Sequence, residues 1–181
     1  MNKIKLIESN LYTGEIPLHT TNVRQGYIHQ FIVERFELND SNKIFAPEEG
    51  MLIPYEIEID KVFKYISSQL HLKEKLFVSA LEGPRVMYHQ KGQGTLKLKD
   101  MNSVNIQNGP EFTLLYISCL AESDIESKDR LIIECPDNKA LDKKWTHEIK
   151  NNEWFVFNSN LEYYFTPATN QRSIVKYRLG R

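Results

Sequence analysis

The run Phe112-Thr113-Leu114-Leu115-Tyr116-Ile117 is almost wholly apolar. A short run of that composition reads as a strand buried on both faces. Other strand signals surround it. Tyr27 to Phe36 is rich in β-branched and aromatic residues and partly alternates. Leu76-Phe77-Val78, Val86-Met87-Tyr88 and Thr95 to Lys99 are shorter candidates, and Leu131-Ile132-Ile133, Trp154 to Phe157 and Ser173 to Tyr177 follow. Turn residues separate them at Gly83-Pro84, Gly92 and Gly94, Asn108-Gly109-Pro110, Pro136-Asp137-Asn138 and Pro167. One amphipathic helix is predicted from about Ile59 to Leu72, with Val62, Phe63, Ile66 and Leu70 on one face. Many short strands and few helices imply a mainly β barrel or sandwich of the jelly-roll kind.

The chain has 181 residues, enough for one domain with a substantial core. Its organisation divides into an extended N-terminal region (1–54), a helix with leading strands (55–85) and a jelly-roll core (86–181). A formal net charge of −1 argues against a domain that coats nucleic acid or an anionic membrane. Lys97, Lys99, Lys143 and Lys144 form the one candidate basic patch. No segment has the length or hydropathy of a membrane span, and residues 1–8 lack the apolar stretch of a signal peptide. Cys119 and Cys135 sit in apolar runs, which fits buried free thiols and a reducing compartment better than a disulfide.

Catalytic signatures are sparse. The chain has no CxxC, GxxxxGK[ST], GxGxxG or GxSxG motif. His147 and Glu148 are adjacent, so on a strand they point to opposite faces and do not grip one ion together. Gly92-Gln93-Gly94 reads as a turn. The cluster Tyr163-Tyr164-Phe165 is expected to fill interior space.

The order of elements from Val86 onward resembles the iron(II)- and 2-oxoglutarate-dependent dioxygenases, and in particular their small prolyl-hydroxylase-like members from marine bacteria and phages. Tyr88 followed by Lys91-Gly92 resembles the family's opening tyrosine and lysine-glycine turn. Phe112 to Ile117 resembles the strand that follows its His-x-Asp pair. Phe157-Asn158-Ser159 resembles the strand end that precedes the second histidine by four residues, a position held here by Tyr163. Arg172, beside Ser173, stands where the resemblance places the arginine that binds the 2-oxoglutarate carboxylate.

The resemblance implies a double-stranded β-helix, and it places the metal ligands at Asn105, Gln107 and Tyr163. A shifted alignment places Lys97-Leu98-Lys99-Asp100 at the pair instead. No His-x-Asp or His-x-Glu occurs anywhere, because His19, His29, His71, His89 and His147 are followed two residues on by Thr21, Phe31, Lys73, Lys91 and Ile149. Carboxamides hold iron(II) poorly, and a phenol near pKa 10 resists the deprotonation that ligation needs. The expectation is therefore a non-catalytic chain with no metal or cofactor. It would act as a structural or interaction subunit in a homo- or hetero-oligomeric protein assembly, in the cytoplasm or in a phage virion (a neck or head–tail component), without nucleic-acid or membrane partners. The alternative is an active hydroxylase using Fe(II) and 2-oxoglutarate, with ligands drawn from His89, Asp100 and His147. A third reading is a small-carboxylate module built on Arg172.

Overall fold

The computed structural model describes residues 1–6, 10–39, 50–100, 111–120, 128–134 and 144–181. Two short strands open the chain, β1 (Asn2–Lys5) and β2 (Asn10–Glu15), followed by the helices α1 (Leu18–Thr21) and α2 (Gln25–Asn39). Next come β3 (Met51–Leu52), α3 (Ile57–Glu74), β4 (Ser79–Ala80) and β5 (Arg85–His89). The remaining strands are β6 (Phe112–Leu120), β7 (Arg130–Glu134), β8 (Lys144–Glu148), β9 (Glu153–Asn158), β10 (Glu162–Phe165) and β11 (Arg172–Gly180).

Among the described residues these strands form two antiparallel sheets. The larger runs β1-β2-β9-β6-β11-β5-β3, with β4 added on β11, and the smaller runs β10-β7-β8. This is the mainly β jelly roll that the strand pattern implies. Leu98 and Tyr163 join by an isolated antiparallel bridge, with Leu98 N–H donating to the Tyr163 carbonyl at 2.8 Å and the reverse bond at 2.9 Å.

The alternation of β6 explains its all-apolar composition. Leu114 and Tyr116 pack with Ile28 and Ile32 of α2 and Val62 and Ile66 of α3. Leu115 and Ile117 face the other way and pack with Leu131, Ile133, Tyr163 and Phe165 of the small sheet. Successive side chains of a strand leave opposite faces, so a central strand between two layers is apolar throughout. β11 follows the same rule, with Val175 and Tyr177 toward the helices and Ile174 between the sheets.

α3 matches its predicted face. Ile59, Val62, Ile66 and Leu70 are buried, the Glu56 carboxylate caps the N-terminus by accepting from the Glu58 and Ile59 N–H groups, and Lys75 closes the C-terminus at φ 57°. α2 departs from the expected strand at Tyr27–Phe36. Ile28 and Ile32 are fully buried while Gln30 between them is exposed. The i, i+4 spacing of those two isoleucines places both on the sheet, which the β-rich composition concealed. Leu76–Val78 carries no strand, and Thr95–Lys99 contributes only the bridge at Leu98. β1 pairs with β2, and β2 pairs with β9, so both extend the large sheet. No described helix is long and apolar enough to cross a membrane. Cys119 is a free, half-buried thiol, whereas Cys135 lies outside the described residues.

The docking of α2 gives a direct test. Ile32→Ala should lower unfolding free energy by about 2–4 kcal/mol, while Gln30→Ala should change it by less than about 0.5 kcal/mol, read from urea midpoints. Residues 30 and 32 would share one face of a strand, so equal effects of the two changes would contradict the helix.

Candidate functional site

Polar side chains enter the space between the sheets at two places along β11. Arg172 and Lys176 are four residues apart, about 13 Å along a strand, and Ile174 lies between them. Both are almost completely buried, with relative exposures of 0% and 1%.

At the first place the Arg172 guanidinium is held by protein groups on several sides. Nε donates to His89 Nδ1 at 2.8 Å, and Nη1 donates to Asp129 Oδ2 at 3.1 Å. Nη2 donates to the carbonyls of Thr166 at 2.8 Å and Gln93 at 3.4 Å, and the group lies over the Phe165 ring at 5.1 Å. An arginine has only hydrogens to give, so His89 presents Nδ1 as an acceptor. Asp129, itself buried, also accepts the Thr169 N–H at 2.7 Å. Burial pulls the guanidinium down to about 10, with Asp129 opposing that shift, and the group stays charged at neutral pH.

At the second place Asp100 is the centre. Its Oδ1 accepts from Lys176 Nζ at 2.6 Å and Arg178 Nε at 3.2 Å, and its Oδ2 accepts from the Thr113 hydroxyl at 2.8 Å and the Tyr163 hydroxyl at 2.9 Å. Lys176 also donates to the Tyr163 oxygen at 3.0 Å, and Ser159 lies 3.3 Å from the Thr113 hydroxyl. A carboxylate has about four lone-pair positions, and here all four are engaged. Burial alone would raise the Asp100 carboxyl. The Lys176 charge and the hydrogen bonds from Lys176, Thr113 and Tyr163 outweigh it and hold the group below its ordinary value.

Tyr163 is fully buried in the Asp100 cluster, and Arg172 is engaged with Asp129 and His89. Asn105 and Gln107 lie outside the described residues, as does Lys143. His89, Asp100 and His147 do not converge. His89 accepts from Arg172, Asp100 binds Lys176, and His147 Nε2 lies 3.1 Å from both Glu153 carboxylate oxygens while its ring stacks on Trp145. Among the described residues no three His, Cys, Asp or Glu side chains are grouped to hold a metal. Lys97 and Lys144 both pair with the single carboxylate of Glu134. Lys176 and Asp129 were not singled out in the sequence. The signal for Lys176 was a charged residue at the same inward parity as Ile174 in an otherwise apolar strand.

A prolyl-4-hydroxylase from Pseudomonas putida superposes with a TM-score of 0.62 at 11% identity, covering 93% of this chain and 91% of that one. The viral collagen prolyl hydroxylase of Paramecium Bursaria Chlorella virus-1, in its 2OG complex, gives 0.62 at 12% identity, covering 93% and 94%. A prolyl hydroxylase from Trichoplax adhaerens gives 0.60 at 14% identity, covering 92% and 82%. The fold is the jelly roll of the 2-oxoglutarate oxygenases. No family model matches the chain, and no curated protein matches its sequence.

The iron(II) implied by that fold does not suit the residues described here. The Asp100 carboxylate already has four donors on it, one of them an ammonium that would repel a divalent cation, and Leu98, paired in register with Tyr163, carries no donor atom. The Arg172 guanidinium likewise already holds a carboxylate.

Breaking the pair should be costly. Asp100→Asn and Lys176→Met should each lose about 3–5 kcal/mol, and the double variant should lose clearly less than the sum. The depressed carboxyl of Asp100 contributes stability that is complete above its ordinary value of 3.8 and is lost as pH falls through its lower folded value. Chemical denaturation of wild type and Asp100→Asn across the acid range should show that loss in the wild type and a shallower one in the variant.

Proposed function

We propose that this chain is a non-catalytic, oxygenase-like jelly-roll protein that works as a structural or interaction subunit. The observation that carries the reading is the Lys176 ammonium 2.6 Å from Asp100, inside the cluster that Tyr163 also joins. Leu98-Lys99-Asp100 has the spacing of a His-x-Asp pair, and its first residue is in register with Tyr163. This supports Leu98, Asp100 and Tyr163, rather than Asn105 and Gln107, as the positions equivalent to the metal ligands. One carboxylate survives in that set, and a lysine neutralises it. Asp129 on Arg172 supports the same reading for the cosubstrate, because a carboxylate of the chain takes the place a ligand's carboxylate would fill.

Without a reaction, function falls to surfaces and protein partners. The resemblance to a family frequent in phage genomes, together with the chain's Asn-, Lys- and Ile-rich composition, favours a virion setting such as a neck or head–tail component. The competing reading is an active hydroxylase, which the hydroxylase names of the structural neighbours favour.

Anaerobic titration of the purified chain with iron(II), with and without 2-oxoglutarate, decides between them. No stoichiometric iron binding and no thermal stabilisation by 2-oxoglutarate are expected. One tightly bound iron per chain, or iron-dependent turnover of 2-oxoglutarate, would replace this proposal with the hydroxylase.

A further inference from the structure

β8 ends the small sheet, and among the described residues it pairs with β7 alone. Two hydrogen bonds fix which of its backbone groups face away from β7. The Ile149 N–H donates to the Asp129 carbonyl at 3.0 Å, and the Thr166 N–H donates to the Arg130 carbonyl at 3.0 Å on the β10 side. Antiparallel partners alternate between bonded and non-bonded pairs. Trp145 and His147 therefore bond to β7, and Lys144, Thr146 and Glu148 turn their N–H and C=O groups to the outer edge. A row of that kind is a template for another strand. The side chains of the same three residues are exposed and share one face of the sheet.

The sequence of this edge selects its occupant. Lys144-Trp145-Thr146-His147-Glu148 has opposite charges at its ends and a threonine at its centre. A second copy, turned end for end about Thr146, sets its Glu148 against Lys144, its Lys144 against Glu148 and its Thr146 against Thr146. All of these residues have outward backbone groups, so each pair can exchange both N–H···O bonds. The strands behind continue the pattern. Arg130 of β7 is in register with Glu148, Glu134 is in register with Lys144, and Lys144 Nζ lies 3.1 Å from Glu134. A row across both copies then reads Arg130, Glu148, Lys144, Glu134, with the sign alternating at every strand. Edges guarded against self-association look different. β1, at one end of the large sheet, carries Lys3 and Lys5 and no acid, and β3, at the other, is two residues long.

We propose that β8 is a homodimerisation edge, where two copies of the chain join antiparallel about Thr146 and their small sheets become one. The proposal rests on the interaction role given above and names the partner as a second copy, related by a two-fold axis. Five residues of edge bury less than the about 1,200–2,000 Å² of a stable interface, so the dimer is reversible.

Sedimentation velocity at low salt, from about 10 μM to about 1 mM, should show monomer converting to dimer. Lys144→Glu and Glu148→Lys each place like charges opposite one another at both ends, and each should weaken self-association by about tenfold or more. An equimolar mixture of the two variants should dimerise again, because each brings the charge that the other lacks. Thr146→Pro removes an N–H that points away from β7, so it should leave a folded monomer. A wild type that stays monomeric at the highest concentration overturns the proposal. A dimer that survives both charge variants, or a mixture that fails to restore it, does the same. The recovery in the mixture cannot come from misfolding, so the charge pair decides the matter even if Thr146→Pro does not fold. The iron titration fails separately: iron binding by wild type would sink the non-catalytic reading, and a monomeric wild type would sink only the pairing at β8.

Discussion

A buried carboxylate has to find its counter-charge inside the protein, and much of the polar interior of this jelly roll is arranged around that need. Asp100 receives hydrogen bonds from β6 through Thr113, from β10 through Tyr163 and from β11 through Lys176 and Arg178. β6 and β11 belong to the large sheet and β10 to the small one. The cluster is therefore a polar brace between two layers that otherwise meet through Leu115, Ile117, Phe157, Phe165 and their apolar neighbours.

Such a brace is not an economical way to gain stability. Buried ion pairs often contribute no more than well-packed apolar residues of the same size, because desolvation offsets most of the Coulomb attraction. Losing one partner is what costs heavily. The arrangement is better understood through geometry. A carboxylate saturated by four donors from three strands is satisfied in one register only, and a slip of one residue along β11 would turn Lys176 out of the interior. The Arg172 group acts similarly, tying β11 to His89 of β5, to Asp129 just before β7 and to the Thr166 carbonyl just after β10. These two clusters occupy the interior of a fold whose solved neighbours include hydroxylases. Relatedness of fold is thus compatible with an interior in which the Asp100 carboxylate and the Arg172 guanidinium are held by groups of the chain itself.

A good part of this was legible in the chain. The strands at β5, β6, β7, β9 and β11 follow from alternation and from apolar runs bounded by turns, and α3 follows from its 3.6-residue periodicity. Tyr163 and Arg172 were singled out only through the resemblance to the oxygenase family, from their distance to Ser159 and their place in the last strand. α2 was misread because Ile, Val and Phe favour strands, while its burial on one face depends on packing against a sheet assembled from later residues. Lys176 and Asp129 passed unnoticed because a lysine in a strand, or an aspartate before one, is ordinarily a solvated residue.

The sequence by itself determined a mainly β architecture, the double burial of Phe112–Ile117 and the absence of any His-x-Asp pair. Each of these is a local property, readable from neighbours within a few positions. Only the tertiary structure decided which charges meet. Lys176 and Asp100 are 76 residues apart, and Arg172 and Asp129 are 43 apart. No periodicity spans such distances, and the pairings exist because sheet closure brings those strands together and sets the buried charges opposite one another.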